Sequence, residues 1–354
     1  MHRNIKNKKE QRKYLVLGHV VREYVFSGTP ISSKLVAERM GSSVSSATVR
    51  NIMAELEECG DIKQPHTSAG RMPTNSGYRR YVNIIQEHRN FEKRKAQILA
   101  AEYDRKIRTM QEVLKKTSYL ISRELKNTGI VMWPSIENFY LKHLELVKIQ
   151  TETVLAVLVT MTNAVKNYII KLDKDIERSQ LERIANYVNT NYESLPLTEI
   201  STGLEGWAKK EKDEGELSDV ALVAQVIVNA VIKENINNEI YWEGLDYLMD
   251  ESIMDNIGLA KRMFNVFSSG DEVLRLMRNE LPEKGLRIYI GEENDSQMFK
   301  DCSIVTCGYS LRGRIAGRIG VIGPTRMDYA RAMSTVSCLA DLISGKLKQI
   351  NDQE

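Results

Sequence analysis

Residues 44–81, VSSATVRNIMAELEECGDIKQPHTSAGRMPTNSGYRRY, constrain this 354-residue chain more than any other stretch. Val49, Ile52, Met53 and Leu56 recur at i, i+3, i+4 and i+7, which places one apolar stripe on a 3.6-residue helix. Ser45 or Ser46 supplies the N-cap, and Gly60 stands where a helix ends in the left-handed conformation. Burying the stripe leaves Ala47, Thr48, Arg50, Asn51 and Ala54 on the opposite face. That face is small, hydrogen-bonding and singly cationic. Arg and Asn pair bidentately with guanine and adenine edges, and an alanine methyl meets a thymine methyl. The spacing predicts a recognition helix for a DNA major groove.

The flanks agree. Thr29-Pro30-Ile31-Ser32-Ser33 opens a short helix with Leu35 and Val36 inward, closing near Gly41, and the spacing to the next helix is that of a helix-turn-helix. Downstream, residues 61–64 and PHTSAGRMPT have extended ends around a tight polar centre. Pro65 and Pro73 fix those ends, Gly70 allows the turn, and Arg71 is expected near the tip. A hairpin with an arginine at its tip, directly after a recognition helix, is a wing suited to a phosphate backbone or minor groove. The candidate DNA contacts are therefore Ser45, Ser46, Ala47, Thr48, Arg50 and Asn51 from the helix, and His66, Thr67, Ser68, Arg71 and Thr74 from the wing. Arg79 and Arg80, at the start of the next helix, either touch phosphates or face solvent.

Charge is unevenly placed. Residues 1–90 hold 15 Lys and Arg against 8 Asp and Glu, a net +7, so the remainder of this net +3 chain carries −4. A basic head on an acidic body is the electrostatic footprint of a nucleic-acid-binding N-terminus. Cys59, Cys302, Cys307 and Cys338 have neither metal-ligand spacing nor histidine neighbours, and read as reduced thiols of a cytosolic protein. No apolar run approaches the roughly 18 residues of a membrane span, and no apolar signal segment opens the chain. A soluble, cytoplasmic, nucleoid-associated protein without membrane partners is expected.

Features that invite enzymatic readings fall short of them. The glycine-rich, basic stretch 313–320 lacks the Lys-Ser/Thr ending and following helix of a phosphate loop, so it reads as a hairpin entering a strand. Glu292, Glu293 and Asp295 read as an acidic loop, set against a hard-cation site. No nucleophile-base-acid arrangement or HExxH pattern is present, and no cofactor or metal is expected.

Along the chain, residues 1–13 read as a disordered basic tail able to meet phosphates, followed by a helix with Tyr14, Leu17, Val21, Tyr24 and Val25 inward. A long polar helix is expected from Tyr78 towards Asn127, with linker character over 91–101. Its seam of Tyr103, Ile107, Met110, Leu114, Thr117 and Ile121 either pairs with a twin or packs on the sheet that follows, the latter favoured for its later part. Strands are expected at 129–133, 140–150, 154–161 and 168–172. Helices follow at 177–191, 218–234, 257–267 and 272–279. A short strand at 240–242, strands at 286–290, 302–309 and 314–322, and a helix capped by Thr325 complete the pattern. Strands, then helices, then strands closing on a helix define an α+β chain with a helical insertion. The expected units are a head over 1–90, a body over 91–174 and 246–354, and an insertion over 175–245.

The segments ATVRNIMAELEECGDIKQPHTSAGRMPTNSGYRRYV and IYIGEENDSQMFKDCSIVTCGYSLRGRIAGRIGVIGPTRMDYARAM resemble the two ends of the HrcA family of bacterial heat-inducible transcription repressors. PHTSAGR-x-PT and GPTRMDY are the specific parts, and the resemblance covers about residues 13–347. Asp61 departs from the pattern, where an apolar residue is expected after the helix-ending glycine. The resemblance implies a winged-helix head, a GAF-like body and a smaller inserted dimerising domain. It further implies a homodimer on an inverted-repeat operator upstream of chaperone genes, with chaperonin as a partner. Because GAF-like domains often bind small molecules, a ligand-sensing regulator is the alternative.

Overall fold

The computed structural model describes residues 2–41, 44–66, 69–87, 99–101, 109–134, 140–161, 165–210, 223–231, 240–248, 270–279, 285–311 and 314–352. The chain opens with α1, His2–Ser27. Its N-terminal turns, expected as a disordered tail, are helical, and Lys9 and Lys13 tie that part to Glu55 of the third helix at 2.9 and 2.7 Å. Side chains at two helical positions one turn apart can reach one carboxylate, which the sequence alone does not reveal. The inward residues of α1 are Val16, Leu17, Val20 and Val21, while Tyr14 is exposed. They share a core with Val36, Val49, Met53, Leu56, Ile62 and Val82.

Two further helices follow, α2 at Ser33–Arg39 and α3 at Ser46–Glu58. A hairpin of β1, Ile62–Lys63, and β2, Met72–Pro73, leads into α4, Asn75–Glu87. An Ile31–Arg71 bridge adds a third rung to the hairpin. Gly60 adopts φ +76° directly after α3, as its position predicts. Gly70 serves a different purpose from the expected turn. A Cβ there would lie 2.5 Å from the Ile31 backbone, so only glycine lets the two chains approach.

The body is a five-stranded antiparallel sheet. Its strands are β3 Thr128–Met132, β7 Ile240–Glu243, β8 Leu286–Ile290, β9 Cys302–Leu311 and β10 Arg314–Pro324, in the order β7-β3-β10-β9-β8. One face is covered by α5, Met110–Leu125, and by α9, Tyr329–Asp352. Met110, Leu114, Thr117 and Ile121 of α5 are buried, so this part of the seam packs within its own chain. Tyr103 and Ile107, like the helix expected at 257–267, lie outside the described residues. The other face receives α8, Asp271–Asn279, whose Val273 and Met277 join Ile130, Met132, Ile304 and Ile322. The cap of α9 is Asp328 rather than Thr325, its Oδ1 accepting from Arg331 N at 3.0 Å.

The strands β4 Leu141–Gln150, β5 Thr153–Thr160 and β6 Val165–Lys171 do not join that sheet. They form a separate three-stranded one, covered by α6, Arg178–Tyr192, through Leu181, Ile184 and Val188. A further helix, α7 at Leu197–Lys210, follows. The boundary expected between residues 174 and 175 therefore cuts one packed unit. The chain leaves the five-stranded sheet after Met132 and returns at Ile240, which pairs back on Met132 itself. Strand-rich composition could not distinguish a second sheet from more of the first.

The small sheet has one buried and one open face. Leu144, Leu146, Val154, Ala156, Leu158, Tyr168 and Ile170 point inward. On the other side Val147, Ile149, Val165 and Ile169 are 42, 52, 59 and 68% exposed. The edge of β4 is partly closed by Asn189, whose Oδ1 accepts from Leu144 N at 2.7 Å while Nδ2 donates to Leu144 O at 2.9 Å.

Candidate nucleic-acid interface

The first turn of α3 is built by a serine cap. Ser45 accepts from Thr48 N at 3.1 Å and its hydroxyl lies 2.8 Å from that of Thr48. Val49, Ile52, Met53 and Leu56 then anchor the helix, all 7% exposed or less. Ser45, Ser46, Ala47, Thr48, Arg50 and Asn51 are all exposed and lie on the outward part of the same helix. Neither Arg50 nor Asn51 has a side-chain hydrogen bond or ion pair among the described residues. An arginine and an asparagine held one after the other on an anchored helix present donors of the kind that can pair with base edges.

Beside it, Ser33 of α2 approaches Ser46 at 3.4 Å, which places the first turns of α2 and α3 side by side. Lys34 in that turn and Lys63 on β1 are exposed cations that sequence reasoning passed over. Lys34 follows the Ser32 cap of α2, and that serine-lysine run was the available signal. The hairpin end is closed by Ala69 N donating to His66 O at 2.8 Å and by Gln64 Nε2 donating to Ala69 O at 2.8 Å. His66 is exposed; Thr67 and Ser68 lie outside the described residues.

Four of the expected contacts have partners within the chain. Arg71 is not at the tip. It stands on the strand side of the hairpin, and its Nε donates to Glu57 Oε2 of α3 at 2.9 Å. Thr74 caps α4, donating to Gly60 O at 2.6 Å and accepting from Gly77 N at 3.1 Å. Arg79 reaches the body, with Nε 2.7 Å from Glu293 Oε1, Nη2 on the other Glu293 oxygen, and a bond of 2.6 Å to Ile288 O. Arg80 Nη1 stands 2.9 Å from Asp61 Oδ2, close enough for an ion pair although it lacks hydrogen-bond alignment. Each of the two arginines thus faces a carboxylate of its own chain rather than open solvent alone.

Asp61, the departure from the apolar pattern, is fully buried under that arginine. Burial pushes its carboxyl above the ordinary range, while Arg80 and the Ser76 hydroxyl pull it back. On α3, Glu55 is held below the usual carboxylate range by Lys13 and then by Lys9.

Among the described residues no group of three or more His, Cys, Asp or Glu could hold a metal ion, and no helix is long and apolar enough to cross a membrane. Residues 111–333 match the family model described as the HrcA protein C-terminal domain. The heat-inducible transcription repressor HrcA of Syntrophobacter fumaroxidans is 32% identical over 342 residues, spanning 96% of this chain and 97% of that one. The repressor of the same name from Brevibacillus brevis is 32% identical, with 95% and 97% covered. A crystal structure of a hypothetical protein superposes with TM-score 0.64 at 22% identity, covering 96% of this chain and 98% of that one, which supports the fold alone.

Together these define the class as a transcription repressor and not an enzyme. The match spans nearly the whole of both chains, head and body included. The chain belongs to the HrcA family of heat-inducible transcription repressors.

Proposed function

We propose that this protein represses chaperone operons by binding an inverted-repeat operator as a homodimer, and that heat releases it. Residues 1–90 act as a winged helix-turn-helix head, the five-stranded sheet as a GAF-like body, and the unit between Met132 and Ile240 as the dimerising insertion. The observation that carries this reading is the outward run Ser45–Asn51, with Arg50 and Asn51 uncommitted on a helix whose other face is buried. One such helix reads a short half-site, so useful affinity needs two heads at fixed separation.

The open apolar face of the small sheet supports the dimer. Cross-strand neighbours Leu155–Ile169 and Val159–Val165, with Val147 opposite Leu155 and Val157 between the two rows, place exposed and half-buried apolar side chains on one face, of the kind that marks a protein interface. Chaperonin, as a partner that maintains the active form, rests on the family alone. Gel shifts with the DNA upstream of chaperone operons test the proposal. The full chain should shift that DNA at concentrations that leave scrambled DNA free, and Arg50→Ala should narrow the difference. Equal affinity of the full chain for both DNAs would sink it.

A further inference from the structure

Between head and body lies a cleft of about 430 Å³, within the size range of small-molecule sites. Its head wall comes from Tyr24, Lys63, Met72 and the first turn of α4; its body wall comes from Glu292, Thr325 and Arg326. Two cationic side chains, Lys63 and Arg326, line it. Lys63 is exposed and Arg326 half-buried, and neither has an ion pair or side-chain hydrogen bond among the described residues. No acidic residue occupies the first turn of α4, whose N-terminus carries the positive end of the helix dipole. Glu292 is the sole carboxylate among the lining residues, and it is exposed.

A second observation points to a missing acceptor. Tyr78 lines the cleft, is 3% exposed, and its hydroxyl has no hydrogen-bond partner among the described residues. Its ring is fixed at 5.4 Å from that of Tyr329, whose own hydroxyl is satisfied by Ser303 and by the Thr325 carbonyl. A buried donor left alone costs free energy that an acceptor from a ligand recovers.

We infer that this cleft binds a small organic anion, a phosphate or carboxylate carried on a compact apolar body. The anionic group faces Lys63, Arg326 and the N-terminus of α4, and the apolar part lies against Tyr24 and Met72. Such a ligand touches both walls at once, so it holds the head in one orientation on the body. This site is separate from the α3 face and does not depend on it.

The test is calorimetric titration of the full chain, at constant ionic strength, with phenyl phosphate, benzoate, inorganic phosphate and phenol. Saturable one-to-one binding of phenyl phosphate or benzoate is expected, tighter than inorganic phosphate and at least about tenfold tighter than phenol. Arg326→Gln and Lys63→Gln should each weaken it about tenfold, and Tyr78→Phe several-fold, while Lys34→Gln leaves it unchanged. Melting curves establish that each variant folds. Should Arg326→Gln not fold, Arg326→Lys and Lys63→Gln carry the same comparison. Absence of saturable binding by either organic anion, tightness shared by phenol, or binding that survives Lys63→Gln and the Arg326 variant overturns the inference.

Discussion

Arg80 lies over Asp61, 2.9 Å from a carboxylate that is entirely shielded from water, while the arginine itself keeps 40% of its side chain exposed. The pair joins the residues that follow α3 to the first turns of α4. Removing the arginine strands a buried charge. Arg80→Ala should cost about 2 kcal/mol, below the roughly 3–5 typical of fully buried pairs because one partner is half in water. Asp61→Leu with Arg80→Ala should restore much of the loss. Denaturant midpoints of the single and double variants check this, and a double variant no better than Arg80→Ala would show that the ion pair is not the cause.

The same carboxyl gives stability a slope in pH. Its folded-state value is raised from the ordinary 3.8, chiefly by burial. Below 3.8 it is protonated folded or unfolded, and contributes nothing to the slope. As pH rises past that point the unfolded chain releases its proton first, so stability falls until the folded carboxyl has ionised too. Relative to Asp61→Asn, the natural protein should therefore lose stability from about pH 4 upward. Urea midpoints of both proteins across that range decide the matter; parallel curves would remove the argument.

Specificity and affinity should separate within the head. Arg50→Ala should cost about 1–3 kcal/mol on the operator and relax discrimination at one base position per half-site. Lys34→Ala should weaken all DNAs alike and lower the salt slope by about one unit. Arg71→Ala should alter melting more than sequence preference, because its guanidinium is held by Glu57. Salt titrations on operator and scrambled DNA read all three. Loss of discrimination in Arg71→Ala greater than in Arg50→Ala would move the reading surface from helix to hairpin.

What the sequence disclosed follows from periodicity. The Val49–Leu56 stripe fixed the outward run Ser45–Asn51 because burial of one helix face determines the other. Strands of the body were legible too, in runs of Val, Ile and Leu at strand length. Pairings across long separations were not. Nothing in GYRRY distinguishes an arginine that meets phosphate from one that meets Glu293, more than two hundred residues away. Nor does alternation in residues 141–171 say which sheet those strands join; β3 and β7 close on each other across the insertion, and only the pairing of Met132 with Ile240 reveals it. Arg71 was misplaced because the turn lies earlier than Gly70, whose missing Cβ serves contact with Ile31.

The open face of the small sheet should be the dimer surface. Ile169 and Val165 are its most exposed apolar residues, and each sits beside an apolar cross-strand neighbour. Ile169→Asp places a charge where the partner must exclude water, which should weaken dimerisation by about 2 kcal/mol or more. Sedimentation equilibrium measures this directly. Circular dichroism should stay unchanged, since the side chain faces away from α6. A variant that remains as dimeric as the natural chain would shift the interface to another surface.

Arg79 and Glu293 make an ion pair between head and body across more than two hundred residues of sequence, with Ile288 O as a third anchor. Exposed pairs contribute only about 0.2–1 kcal/mol, but this one is bidentate and about two-thirds buried on both sides, so a coupling of about 1–2 kcal/mol is expected. The measurement is a double-mutant cycle on thermal stability with Arg79→Ala, Glu293→Ala and both together. Salt should reduce the coupling, because each side chain keeps about a third of its surface in water. Since the pair lies on α4 rather than on the α3 face, Glu293→Ala should leave base discrimination intact while weakening operator binding through a less well-oriented head. Additive single variants would mean that the contact does not hold the head. Lost discrimination in Glu293→Ala would mean that it does more than orient it.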